Sequence, residues 1–195
     1  MRPATHRALL VEAMRDLTQS KGFAGTTVDE VCDRAGVTKG SFYHHFGSKD
    51  ELGLAALQAY YDDVVAAMRA GAWSAKDTAV ERLHAFVAHA GSVCAGPVMA
   101  GGCLLGAFTL EQAGTVPDTR ERLAAMFAEL GATVAGLIGA AAAEVARTVD
   151  AGRLADQFLA VVEGALVLAK AHADPSIPQR LLATFDDHLG LVLGS

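Results

Sequence analysis

Apolar residues in this chain recur every three or four positions, and no stretch shows the strict alternation of a half-buried strand. Leu10, Ala13, Met14 and Leu17 define one face of a first helix, which Gly22 ends and Phe23 can cover as a hydrophobic C-cap contact. Thr27 and Glu30 form a capping box that opens a second helix, with Val28, Val31, Cys32 and Ala35 at helical spacing and Gly36 as its stop. Thr38 is the N-cap of a third, very short helix. In it Phe42 and Phe46 stand four residues apart on one buried face, and Gly47 ends it. Ser48 and Glu51 make a further capping box, opening a helix to about residue 70 with Leu52, Ala55, Ala56, Ala59 and Tyr60 inward. The same spacing predicts helices over about 75–94, a short one carrying Leu104, Phe108 and Glu111, and others over about 117–149, 150–173 and 177–193. A loop rich in Gly and small residues, 91–106, precedes the short helix. The expected fold is therefore all-α, with about nine helices.

Helix, glycine-containing turn and short third helix make a helix-turn-helix, with the third helix as reader. Turned away from Phe42 and Phe46 are Gly40, Ser41 and His44, with Lys39 and Tyr43 on the flank. That face is small, donor-rich and weakly basic, which suits a groove of double-stranded DNA. Gly40 removes a side chain where a partner would approach the backbone closely. The candidate DNA contacts are Lys39, Gly40, Ser41, Tyr43 and His44. Thr27 and Thr38, at helix N-termini, and Lys49, in the first turn of the fourth helix, are candidates for phosphate.

Charge qualifies this picture. The net charge is −6, yet residues 1–53 carry seven Lys/Arg against seven Asp/Glu, so the acidic excess lies wholly beyond them. Overall charge does not argue for nucleic acid, and any positive surface must come from local placement. Cys32, Cys94 and Cys103 have irregular spacing that fits neither a zinc site nor a disulfide framework, and a reducing cytoplasm is the simplest compartment. No signal peptide is read, and the apolar run 132–143 is too short for a bilayer, so no membrane role is expected. No nucleophile elbow, phosphate loop or metal spacing is present. The reading is of a non-enzyme with no cofactor or metal.

The stretch Thr26-Thr-Val-Asp-Glu-Val-Cys-Asp-Arg-Ala-Gly-Val-Thr-Lys-Gly-Ser-Phe-Tyr-His-His-Phe-Gly-Ser-Lys-Asp-Glu-Leu52 resembles the TetR family of bacterial transcriptional repressors, within a match over residues 8–53. The resemblance implies a DNA-binding domain over 1–47 and an effector-binding and dimerisation domain over 48–195. It also implies a homodimer paired through its last two helices, a near-palindromic operator, and repression lifted by a small molecule or by a modification, here of Cys103. Gly102-Cys-Leu-Leu-Gly-Ala-Phe-Thr-Leu-Glu111 and Gly164-Ala-Leu-Val-Leu-Ala-Lys170 are similar to a subgroup in which some members answer to electrophiles or oxidants through a cysteine in the first segment.

Three readings of Cys103 stand side by side: a small buried hydrophobe, a pocket wall, or a sensor thiol activated by Lys170. Phe86, His89, Met99, Phe108, Phe127, Glu163 and Lys170 are the other candidates for an effector pocket, each also readable as plain core or surface. Two successive apolar helices end the chain, and a monomer would expose one of their stripes. Phe158, Val161, Leu168, Leu181, Phe185 and Leu189 are the candidates for a four-helix dimer interface, against burial within one subunit. Two other classes remain: a helical carrier without DNA function, and a small helical enzyme.

Overall fold

The computed structural model describes residues 5–112 and 117–194. Among them are nine α-helices and no strand: α1 (His6–Lys21), α2 (Val28–Ala35), α3 (Lys39–His45), α4 (Lys49–Arg69), α5 (Ala79–Cys94), α6 (Leu104–Gln112), α7 (Pro117–Glu144), α8 (Ala151–His172) and α9 (Ile177–Leu193). A 3₁₀ turn, Ala72–Ala75, precedes α5.

Polar caps decide where these helices begin. Thr27 accepts from the N–H of Glu30 while the Glu30 carboxylate accepts from the N–H of Thr27, which closes the expected capping box. Thr38 caps α3 through the N–H of Ser41, and Asp150 caps α8 through the N–H of Arg153. Each such cap contributes about 1 kcal/mol to its helix. At α4 the box is offset. Ser48 accepts from the N–H of Glu51, but the Glu51 carboxylate reaches back to the N–H of Gly47. The helix expected from about residue 75 starts at Ala79, because Thr78 and Glu81 form a capping box there. α7 ends at Glu144, and Asp150 then starts α8. The run 132–143 is short, yet 118–144 as a whole is long and apolar enough to cross a bilayer by length and composition alone. Apolar helices of soluble proteins share that property.

The chain forms two compact units, and they do not follow chain order. One comprises residues 1–63 and 103–123, the other 64–102 and 124–195. The packing divides elsewhere than after residue 47: more than two-thirds of α4 and all of α6 lie in the same unit as α1–α3. In that unit Leu10, Met14, Val31, Phe42, Leu52, Leu57 and Tyr60 are the buried centre.

In the second unit α5 and α8 both pack on α9. Leu83, Phe86, Val87, Phe158, Leu166, Phe185 and Leu189 are buried there. The rings of Phe86 and Phe158 are 5.9 Å apart, and those of Phe158 and Phe185 5.8 Å. This corrects three interface expectations. Phe158, Phe185 and Leu189 belong to the core of one protomer, because α9 turns its largest apolar stripe onto α5 and α8. Val161 and Leu181 are half-buried, and Leu168 is exposed.

Candidate nucleic-acid interface

The reading helix stands on two aromatic residues. Phe42 and Phe46 are buried, their rings 6.2 Å apart, and the Arg7 guanidinium lies 5.2 Å from the centre of Phe46. With those rings inward, the seven-residue helix must turn Lys39, Gly40, Tyr43 and His44 outward. Tyr43 is 62% exposed, held edge-on against Phe42 at 5.0 Å. A large exposed aromatic on a short, rigid helix is an amphipathic contact waiting for a surface. No side chain stands over Gly40: a Cβ there would meet only the Thr38 hydroxyl, at 3.8 Å.

Two contacts on this face were not legible in the sequence. Ser41 Oγ shares a hydrogen bond with His6 Nδ1 at 3.0 Å, which fixes the start of α1 against the reader. Lys39 Nζ lies 2.6 Å from Asp29 Oδ1 of α2, and this partner raises the lysine pKa. Both side chains are largely exposed, so the pair is screened and exchangeable. Their separation of ten residues follows no helical rule and depends on how α2 and α3 cross.

Two candidate phosphate contacts have other work in this structure. Thr27 spends both its backbone N–H and its hydroxyl proton on the Glu30 carboxylate. Lys49 donates to the carbonyls of Phe23 (2.8 Å) and Thr26 (2.7 Å), with its ammonium 4.4 Å from the centre of the Phe23 ring. A lysine in a helix's first turn looks like a phosphate contact. Here it folds back because the α1–α2 turn presents two carbonyls within its reach.

That turn is clamped from the other side by α6. Glu111 accepts from the N–H of Phe23 at 3.2 Å and of Ala24 at 2.6 Å. Phe108 stacks on Phe23 at 4.8 Å. Gly22 (φ +88°) and Gly53 make room: a Cβ would fall 2.7 Å from Glu111 Oε1 and 2.5 Å from Phe23 Cε2, respectively. Phe108, a candidate pocket residue, is thus core of the DNA-reading unit.

The family description "Bacterial regulatory proteins, tetR family" matches residues 10–56, and "Tetracyclin repressor-like, C-terminal domain" matches residues 79–185. The transcriptional regulator AcuR of Cereibacter sphaeroides is 32% identical over 94% of this chain and 84% of its own length. The chain belongs to the TetR family of transcriptional regulators. It is a regulator with a helix-turn-helix DNA-binding domain, from a family without enzymatic activity. The repressor DhaR of a Mycobacterium species is 28% identical over 84% of the chain and 82% of its own length. A TetR regulator of Chloroflexus aurantiacus superimposes with a TM-score of 0.84 at 28% identity, covering 94% of this chain and 93% of that one.

The remaining effector candidates of this TetR chain do not form one cluster. Phe86 is enclosed by Trp73 and Phe158, and His89 Nε2–H donates to the carbonyl of Ala67 at 2.8 Å. Phe127 lines an open groove between α7 and α8 with Gly131, Ala135 and Leu159. Met99 and Lys170 line a separate cleft of about 280 Å³, together with Cys94. Burial pushes the Cys94 thiol up to about 12, with the charge of Glu163 adding to the effect. Cys103 is half-buried and lies in the DNA-reading unit, whereas Lys170 lies in the other.

Proposed function

We propose that this chain is a homodimeric repressor that binds a near-palindromic operator and leaves it when its second unit takes up a small effector. The observation that carries the reading is the outward face of α3, an exposed donor-rich surface made unavoidable by the inward Phe42 and Phe46. Thr38, Lys39, Gly40, Ser41, Tyr43 and His44 are the proposed contacts. Thr27 and Lys49 are left out, since their donors serve the α1–α2 turn. Repressor relatives such as DhaR support the sign of regulation. The cytoplasm, where such regulators meet DNA, is the compartment.

Dimerisation is supported by what α8 and α9 leave uncovered. Val161, Gly164, Val167 and Leu168 run along one side of α8, with Val167 64% and Leu168 43% exposed. Thr184, His188 and Leu191 follow the same spacing on α9, where Leu191 is 84% exposed. Two copies of this pair would make a four-helix interface about a two-fold axis. The two α3 helices would then enter successive major grooves about 34–36 Å apart. An effector acts by favouring the protomer arrangement in which that spacing is lost.

Selection of genomic fragments by the purified protein, at a stated salt concentration, tests the reading. Recovery of a palindrome with half-sites about one helical turn apart supports it. Absence of any enriched sequence at low salt refutes it.

A further inference from the structure

His6 carries a more specific conclusion, which rests on the operator reading above. Its imidazole stands at the start of α1, and Nδ1 lies 3.0 Å from Oγ of Ser41, a proposed DNA contact on α3. Both residues sit in capped first turns of the same unit. Thr5 caps α1 through the N–H of Ala8, and Thr38 caps α3 through the N–H of Ser41 itself. With its backbone N–H spent on that cap, Ser41 addresses a partner through its hydroxyl.

A hydroxyl has one proton to give, and here the imidazole decides where it points. If Nδ1 is bare, Ser41 donates to it and turns only lone pairs outward. If Nδ1 carries a proton, it donates to Ser41, and the hydroxyl proton is released to donate elsewhere. The same serine therefore meets a donor in the first state and an acceptor in the second. An imidazolium has protons on both ring nitrogens and enforces the second state.

The surrounding charges favour that state on DNA. Beside His6 on α1, Arg7 lies over Phe46. On α3, Lys39 is held by Asp29, and His44 and His45 have their rings 4.9 Å apart. The helix α2, which packs on both, brings Asp29, Glu30, Asp33 and Arg34, of which Asp29, Glu30 and Arg34 are held by Lys39, Lys21 and Asp16. From α6, Glu111 is bonded to Phe23 and Ala24. No acidic residue stands in the first turn of α1 or anywhere in α3, so the phosphates of a duplex are the natural counter-charge for an imidazolium there. Acceptors also outnumber donors on major-groove base edges: N7 and O6 of guanine, N7 of adenine and O4 of thymine, against two amino groups.

We infer that His6 is a specificity-determining residue, and that its ring takes up a proton from solvent when the protein binds its operator. Nδ1–H then donates to Ser41 Oγ, the freed Ser41 proton reads an acceptor on a base edge, and Nε2–H serves a phosphate. No bond between heavy atoms forms or breaks. Operator affinity rises as pH falls, by one proton for each protomer.

The probe is the palindromic fragment recovered by genomic selection, titrated with full-length protein in fluorescence anisotropy at fixed salt. Between about pH 8 and pH 6, where imidazoles change charge, wild type should tighten by about threefold or more per protomer beyond His6→Gln. The glutamine keeps a hydrogen-bonding group without the titration, and His6 is exposed, so the variant keeps the fold. His44 and His45 titrate in both proteins, and their contribution cancels in the difference. Replacing each operator base pair in turn locates the base that Ser41 reads, as the position where Ser41→Ala loses discrimination. That discrimination should be greater at the acid end in wild type and independent of pH in His6→Gln. Equal pH slopes in the two proteins, or discrimination at that base that does not move with pH in wild type, would each overturn the proposal. Wild type that binds no fragment at any pH removes the repressor reading, and this inference with it.

Discussion

Replacing Glu111 by alanine should loosen the α1–α2 turn and with it the reader. The carboxylate accepts two backbone N–H bonds, from Phe23 and Ala24. A hydrogen bond to a charged group contributes about 1.5–3 kcal/mol when buried. Phe23 is buried, so its N–H loses most of that value. Ala24 is exposed, and water replaces its partner at small cost. The sum is a destabilisation of about 2–3 kcal/mol, equivalent to a Tm fall of roughly 4–12 °C for a chain of this size. Glu111→Gln keeps one acceptor oxygen and should lose about half as much. Chemical denaturation gives the total, and amide exchange at Phe23 and Ala24 locates it. If Glu111→Ala changes stability by less than about 0.5 kcal/mol and leaves both amides as protected as before, the clamp is not what holds the turn. A second signature separates this from general damage: the proposed operator affinity should fall while the helical content of the other unit stays unchanged.

Asp29→Asn releases Lys39 from its partner, so operator affinity should rise by roughly two- to fivefold, as suits an exposed pair, and the salt dependence should steepen by about one unit per protomer; fluorescence anisotropy across a salt series checks both. The Glu30 carboxyl is lowered from 4.5 to about 2, first by Lys21 and then by the Thr27 cap. A depressed folded value means this contribution is present above pH 4.5 and is lost as pH falls toward 2. Melting curves over that window should therefore be steeper for wild type than for Glu30→Gln. Val167→Glu places a charge in the proposed interface and should convert dimer to monomer in light scattering, without the loss of helix that a core change at Phe158 would bring. An unchanged dimer would move the interface away from the outer stripe of α8.

Local rules made much of this protein legible. The capping box at Thr27, the cap at Asp150 and the stop at Gly36 rest on residues within four positions of one another. The buried pair Phe42 and Phe46 could be read from spacing alone, and it fixed the exposed face of α3. What escaped was everything that depends on how helices cross. Lys49 reads as a phosphate contact until the carbonyls of Phe23 and Thr26 arrive above it. Phe158 and Phe185 read equally well as interface or core, because an apolar stripe does not say which surface covers it. The allegiance of α6 was hidden for the same reason. Long-range closures such as the 88-residue one between Phe23 and Glu111 assign that helix to the DNA-reading unit.

The charge neutrality of residues 1–53 has a structural meaning that composition alone does not give. Six of their described cations are engaged at home. Arg15, Lys21, Arg34 and Lys39 meet Asp63, Glu30, Asp16 and Asp29. Arg7 lies over Phe46, and Lys49 is bonded to two carbonyls. A surface whose charges are already paired releases few counterions on meeting DNA, so non-specific attraction is weak. Affinity must then come from hydroxyls, ring nitrogens, backbone N–H groups and the Tyr43 ring, each short in reach and strict in geometry. A single α3 offers few of them. The proposed dimer would offer twice as many without a second loss of translational freedom, which multiplies affinity by the effective concentration of the second reader. Binding by the proposed dimer is then expected to be sensitive to the distance between readers, so that a small shift of the α1–α2 support would weaken it on the proposed operator.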